Sequence, residues 1–340
     1  MRLAHRLIAL IAVLALALAL GLGVAACGGD DEEPADGETT AAEKKDVKVG
    51  VTQIVSHPAL DACVSGFQEV MADEGWVEGE NVTYDLQNAQ GDMATATSIA
   101  DKFAADNMDL VFSVATPTSQ AMVKASDTIP IVFCAVTDPV GSGLVADAEK
   151  PDANVTGVSD MQPIEPILEL AAQLMPDAKS VGMIYNAGES NSVFLAEQAK
   201  ADAEAAGYEF VEATAGTTAE VQAAAESLVG RAEAVMVVGD NTAVSALEAI
   251  VKVCQENGML LLAGDIDSVK RGAAAGFGFD YEDLGRQAGA QAAKILSGTP
   301  VADVPVEFAS NLILAVNPES AEKMDVTIPQ DVLDEAQETF

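Results

Sequence analysis

The chain has 340 residues and carries 54 acidic against 17 basic side chains, a formal charge of −37 at pH 7, with only two histidines. A field of that sign disfavours nucleic acid and anionic lipid surfaces as partners. Two histidines and four cysteines, the latter at no metal-ligand spacing, leave little from which to build a histidine triad or a zinc site.

The chain opens MRLAHRLIALIAVLALALALGLGVAAC, in which Arg2 and Arg6 precede an apolar run that ends in small residues before Cys27. This is the layout of a secretory signal rather than of a core helix. Val24-Ala25-Ala26-Cys27 resembles a bacterial lipobox, whose cysteine is lipidated and becomes the mature N-terminus; an ordinary cleaved signal and an uncleaved anchor are the alternatives. The next stretch, GGDDEEPADGETTAAEKKD, is too polar and acidic to bury a core and reads as a tether. The expected organisation is therefore a signal peptide over 1–26, lipidated Cys27 with an acidic tether over 27–46, and a folded body from 47, long enough for two cores.

In that body short apolar runs alternate with helical patterns. VKVGVTQIV predicts a strand and ALDACVSGFQEVMADEGW a helix; NVTYDLQNA is a strand, GDMATATSIADKFAADN a helix, and NMDLVFSVAT a strand. TPTSQAMVKASD is helical and leads into the strand IPIVFCAVTDP. The second half repeats the rhythm through KSVGMIYN, SVFLAEQAKADAEAAG, YEFVEATA, TAEVQAAAESLVGRA, EAVMVVGDN, TAVSALEAIVKVCQENG, MLLLAGD and AAAGFGFD. Short strands between longer helices imply an α/β fold with parallel sheets, here two doubly wound, Rossmann-like lobes.

Ligands of such sheets bind outside the carboxyl ends of the strands. Those ends carry Gln53, Thr116, Thr118, Ser119, Thr137, Asp138, Tyr185, Asn186, Asp240, Asn241, Thr242 and Asp265. After Tyr185-Asn186 comes Glu189-Ser190-Asn191-Ser192, at the start of a helix whose free N–H groups suit an anion. One of these residues suffices as an N-cap; the group as a whole predicts ligand contact by Ser190, Asn191 and Ser192.

Enzyme motifs fail on context. Gly141-Ser142-Gly143-Leu144-Val145-Ala146 fits a loose dinucleotide pattern, yet DAEKPDANVTG follows instead of a long helix. There is no P-loop lysine and no G-x-S-x-G elbow, so neither a cofactor nor an enzymatic activity is expected. Asp138 and Asp240, at strand ends of opposite lobes, suit an ammonium group better than acid–base work without a nucleophile. Cys134 and Cys254 lie in apolar patterns and read as buried thiols, and a Cys63–Cys134 bridge is left open.

The stretch IPIVFCAVTDPVGSGLVADAEKPDANVTGVSD resembles the hallmark of substrate-binding lipoproteins of bacterial ABC importers. The match holds at Thr137–Val145 and Asn154–Gly157 and departs at Asp152-Ala153, where the family prefers two glycines. SHPALDACVSGFQE, ATPTSQAM, ELAAQLMPDAKSVGMIYNAGESNS and VNPESAEKM are also similar to it. The resemblance implies a periplasmic-binding-protein fold of type I, with crossovers near Val155–Ser159, near Gly278–Tyr281 and in PVEFASNLILAVN. Lobe 1 would then comprise 47–156 plus 280–307, and lobe 2 157–279 plus 308–340.

Some members are similar to tryptophan- or phenylalanine-binding proteins, which makes an amino acid, aromatic in kind, the expected ligand. Its carboxylate would take the helix starts at Thr116–Ser119 or Ser190–Ser192, and its ammonium Asp240 or Asp138, with Ser159 at the first crossover. Tyr185 and Phe279 could sandwich a ring, unless Phe279 packs the hinge instead; His57 is expected at the pocket rim. No arginine stands at a strand end, which weighs against an amino acid. The expected mechanism is hinge closure by a monomer, lipid-anchored on the outer face of the cell membrane, that delivers its ligand to an ABC permease. A sensor presenting a bound signal to a membrane receptor, or a binder of nucleosides or sugars, is the alternative.

Overall fold

The computed structural model describes residues 45–151 and 154–340. The signal, Cys27, most of the tether and the Asp152-Ala153 turn lie outside the described residues. Among the described residues no helix is long and apolar enough to cross a membrane.

The first lobe opens with β1 (Val47–Gln53), α1 (Pro58–Asp73), β2 (Val82–Asn88), α2 (Met93–Ala105), β3 (Leu110–Val114), α3 (Thr116–Ala125), β4 (Ile131–Cys134) and β5 (Val155–Ser159). Local chemistry sets the boundaries. Pro58 opens α1 where its missing N–H costs nothing, and Asp92 caps α2 by accepting from the Thr95 amide. The β3, β4 and β5 strands are buried on both faces, as central parallel strands covered by helices must be.

The second lobe runs through α4 (Glu165–Leu174), β6 (Ser180–Tyr185), α5 (Ser190–Ala206), β7 (Glu209–Thr214), α6 (Val221–Leu228), β8 (Ala234–Val237), α7 (Asn241–Ser245), α8 (Leu247–Asn257), β9 (Leu260–Ala263), α9 (Ile266–Lys270) and β10 (Ala275–Gly278). The chain then returns to the first lobe with α10 (Tyr281–Leu296) and β11 (Glu307–Phe308). It finishes on the second with β12 (Ile313–Val316), α11 (Pro318–Lys323), α12 (Gln330–Glu335) and β13 (Glu338–Thr339).

Two sheets result, a six-stranded one in the order β11-β5-β4-β3-β1-β2 and a seven-stranded one in the order β13-β12-β10-β9-β8-β6-β7. Both are parallel except for the β10–β12 pair, which is antiparallel. Each sheet has its own hydrophobic core. The fold is thus the expected pair of α/β lobes of periplasmic-binding-protein type I.

The chain passes between the sheets three times. The first passage differs from the expected boundary at 156/157: β5 pairs with β4 from Val155 through Val158, so the chain leaves the first sheet only after Ser159. The second follows Gly278. The third follows Phe308, which stays paired with Ser159 in β11 instead of opening the second lobe.

On return, α10 lies against α1 with the two backbones almost touching. A Cβ on Gly66 would sit 2.0 Å from the Glu282 carbonyl oxygen, and one on Gly285 would sit 2.1 Å from that of Cys63. This contact ties the second passage to the first lobe. Gly285→Leu is expected to destabilise the protein by about 3 kcal/mol, a fall in melting temperature of roughly 6–12 °C. Gly216→Ala, whose Cβ would meet nothing closer than 3.4 Å, is expected to stay within about 0.5 kcal/mol of the parent. Equal melting temperatures for the two variants would contradict this packing.

Candidate ligand-binding site

The carboxyl ends of both sheets face one narrow cavity. The first lobe contributes His57, Ala59 and Leu60 at the start of α1, and Ala135 and Thr137 beyond β4. The second contributes Asn191 in the first turn of α5, Gly239, Asp240 and Asn241 beyond β8, Val244 in α7, and Gly264 and Asp265 beyond β9. The passages contribute Asp160 and Tyr281. Half of the lining comes from residues just beyond strand ends, as the topology requires.

The backbone is bent at these ends. Ala115 and Ala135, following the adjacent strands β3 and β4, have φ of 78° and 56°, conformations that cost a non-glycine residue about 1–2 kcal/mol. Gly239 makes the equivalent bend after β8 at φ 57°, where a Cβ would come within 2.5 Å of Leu195 Cδ1. Such strain persists where the surroundings hold it, and of these bends those at Ala135 and Gly239 bring strand ends to the cavity.

The cavity is acidic and lacks any lysine or arginine among its lining residues. Tyr281 donates its hydroxyl to Asp160 Oδ2 at 2.9 Å, while Asp160 Oδ1 is buried without a partner. Burial pushes the Asp160 carboxyl above the usual range, and hydrogen bonds from Tyr281, from its own backbone amide and from the Thr137 side chain offset part of that rise. Asp240 accepts from the amides of Asn186 and Ala243, each at 2.6 Å, and Asp265 accepts from the amide and hydroxyl of Ser268. Burial raises both carboxyls as well.

Beside the cavity, buried Glu189 accepts from Asn241 Nδ2 and from Thr242 Oγ1. Burial, and then the neighbouring Asp240, push its carboxyl up to about 7. His57 is held down to about 4, chiefly by burial and then by the charge of Arg271, so it is neutral at pH 7. Its Nδ1 has no partner, nor does Asn191 Oδ1, whose amide nitrogen donates to the Gly239 carbonyl at 2.8 Å. Two acceptor oxygens and a ring nitrogen, all buried, are therefore left unpaired around one space. Buried polar atoms are normally paired, so these three are candidates for contact with a ligand.

The structure sorts the expected site residues into groups. Thr137, Asn191, Asp240, Asn241 and Asp265 line the cavity. Asn186, Asn241 and Thr242 line a second compartment, which shares Asn241 with the cavity, together with Ile54, Gln90, Asp92, Glu189 and Thr217. Thr118 and Ser119 turn inward to the Val114 and Ala115 carbonyls, Ser119 also meets Ser113, and Thr116 is buried beside them. Ser159 donates to the Thr137 carbonyl, Ser192 supports Asp240, Ser190 is exposed, and Gln53 donates to Asp61.

Three further expectations need correction. Asp138 does not face the cavity, because its carboxylate accepts from the Gly141 amide and closes that turn. The Tyr185 ring belongs to the core of the second lobe and its hydroxyl donates to Glu212, while Phe279 is buried in the core of the first. The rings at the cavity are Tyr281 and His57 instead. Asp160 and Tyr281 were missed because they stand in passages between lobes. The strand-end rule, extended to the run VTGVSD, would have found Asp160.

The family of ABC transporter substrate binding proteins matches residues 48–340, and the chain belongs to it. It is 40% identical over 304 residues, 89% of this chain and 88% of the other, to a tyrosine-binding protein of Clostridioides difficile (strain R20291). A crystal structure of an ABC domain in complex with L-Trp from Streptococcus pneumonia superposes with a TM-score of 0.84 at 33% identity, covering 87% of this chain and all of that one. A ligand-free, open substrate-binding protein with adhesive properties from Clostridium difficile gives 0.64 at 39% identity, over 86% and 98% of the two chains.

The buried titratable groups set a pH dependence. Because the Glu189 carboxyl rises from 4.5 to about 7 on folding, its contribution to stability is complete below pH 4.5 and is lost as pH climbs to 7. His57, lowered from 6.5 to about 4, acts in the opposite sense and costs stability as pH falls through that window. The melting temperature of ligand-free Glu189→Gln, relative to the parent, is expected to rise between pH 4.5 and 7. A difference that stays constant across those values would show that Glu189 titrates normally.

Proposed function

We propose that the protein captures an aromatic amino acid between its lobes and delivers it to an ABC importer, without chemical change. The observation that carries this reading is the unpaired Asp160 Oδ1 in a cavity lined by carboxylates and by no basic side chain. Such a site favours a ligand ammonium, which brings a donor to the one Asp160 oxygen left unpaired. The Asn191 oxygen is a second acceptor for the same group.

The ligand carboxylate is assigned to the start of α1, a 16-residue helix whose first residues Ala59 and Leu60 line the cavity. First-turn amides have no partner within the helix, and the helix dipole favours an anion there. This removes the need for the arginine that the strand ends lack. Tyr281, His57, Leu60 and Val244 offer the ring and aliphatic surface for an aromatic side chain. The tyrosine-binding relative and the L-Trp complex support that choice of ligand.

Ligand contacts from both lobes would favour the closed state and shift the hinge equilibrium towards it. The better superposition on the L-Trp complex than on the open relative supports reading the present conformation as closed. The leader and Cys27 support export and lipid anchoring, which would place the site outside the cytoplasmic membrane beside a permease.

Titration calorimetry of the full chain tests the reading. Tyrosine, tryptophan or phenylalanine is expected to bind, and Asp160→Asn to weaken that binding by about 100-fold or more, the usual effect of leaving a buried charge without its partner. Asp138→Asn is expected to bind as the parent does. Binding of sugars or nucleosides alone, or an unaffected Asp160→Asn, would overturn the assignment.

A further inference from the structure

Cys63 in α1 and Cys134 at the end of β4 lie 71 residues apart in sequence, yet their sulfurs stand 3.3 Å from one another in the core of the first lobe. Both are fully buried. The third cysteine of the described residues, Cys254, is buried in the core of the other lobe and cannot compete. A disulfide needs its sulfurs at about 2.05 Å, so the two side chains already face one another and lack only a small approach.

The geometry points to a disulfide between Cys63 and Cys134 in the exported protein, stapling α1 to β4 directly behind the ligand cavity. The residues it would fix are those that form the first lobe's wall: Ala59 and Leu60 stand one turn before Cys63, and Ala135 follows Cys134. Ala135 is also one of the strained strand ends. A covalent tie at its neighbour would hold that bend without help from a ligand. This inference does not depend on which ligand the cavity takes; it depends only on export to a compartment where disulfides persist.

The oxidant is a disulfide, carried by a thiol–disulfide oxidoreductase or by a small molecule outside the membrane. One cysteine thiolate attacks the oxidant's S–S bond, forming a mixed disulfide and releasing one thiolate. The second cysteine thiolate attacks the protein sulfur of that mixed disulfide, closing the Cys63–Cys134 bond and releasing the other. The oxidant gains two electrons and the two protons that the cysteines lose. Burial and the neighbouring Cys134 push the Cys63 thiol well above its ordinary range, which makes thiolate scarce in the folded protein. The bond therefore closes before the first lobe finishes packing, and is shielded from reductants afterwards.

The test uses the full chain exported by a host with an oxidising compartment, unfolded in the presence of a thiol-alkylating reagent and digested without reductant. The expected result is one linked pair of peptides bearing Cys63 and Cys134, lighter by two hydrogens than the two apart, with Cys254 alkylated. Alkylation of both Cys63 and Cys134 would overturn the proposal. A second measurement avoids reliance on the host. Protein unfolded and refolded with glutathione disulfide is expected to melt roughly 5–15 °C above protein refolded with a dithiol reductant, as a loop of this length implies. The double variant Cys63→Ala, Cys134→Ala is expected to melt at one temperature under both conditions; the same insensitivity in the parent would contradict the bond.

Discussion

The hydrogen bond from Tyr281 to Asp160 joins two of the three places where the chain passes between lobes, and the rest of the site is arranged around it. Asp160 directly follows β5 of the first sheet, and Tyr281 opens α10 after the chain has left β10 of the second. Behind Tyr281, α10 is pressed onto α1 at Gly66 and Gly285, where no side chain fits between the backbones. The first turn of α1 then faces the cavity. A packing contact between two helices thus fixes a hydrogen bond, and the hydrogen bond holds a carboxylate at the cavity.

The electrostatic balance of the cavity follows from the same arrangement. Asp160, Asp240 and Asp265 are buried with no basic side chain beside them in the lining, and each is held above its ordinary range by burial. Asp240 and Asp265 are made tolerable by helix-cap hydrogen bonds, and Glu189 by Asn241 and Thr242. Asp160 keeps an oxygen unpaired. An unpaired buried acceptor costs free energy until a donor arrives, and the proposed ligand ammonium would supply that donor. The large negative charge of the whole chain is a different matter, because it is spread over a solvated surface and screened.

Much of this was legible in the residues. Apolar runs of strand length between helical patterns gave two parallel-sheet lobes, because buried parallel strands leave that signature. Asp240, Asn241 and Asp265 were legible as strand-end polar residues, and the structure puts them at the cavity. Sequence periodicity could not say which way a side chain turns at a strand end. The hydroxyls of Thr118 and Ser119 therefore looked available, although they bond back to the carbonyls of β3 and its bend. For the same reason the ring of Tyr185 was placed in the cleft and that of Phe279 either there or packed at the hinge, whereas both enter lobe cores. Asp160 and Tyr281 were obscured because their site role depends on two passages meeting, a contact across 121 residues that local pattern cannot register.

The central claim is that Asp160 receives the ammonium of an amino acid. It is tested most directly by comparing, by titration calorimetry on the full chain, L-tyrosine with 3-(4-hydroxyphenyl)propionate, which keeps the ring and carboxylate and lacks the amine. Removing the amine is expected to weaken binding by at least about 100-fold, since the unpaired oxygen of Asp160 is then left without a donor. Equal affinity for the two compounds would show that the carboxylate-lined cavity does not read the ammonium, and would contradict the account.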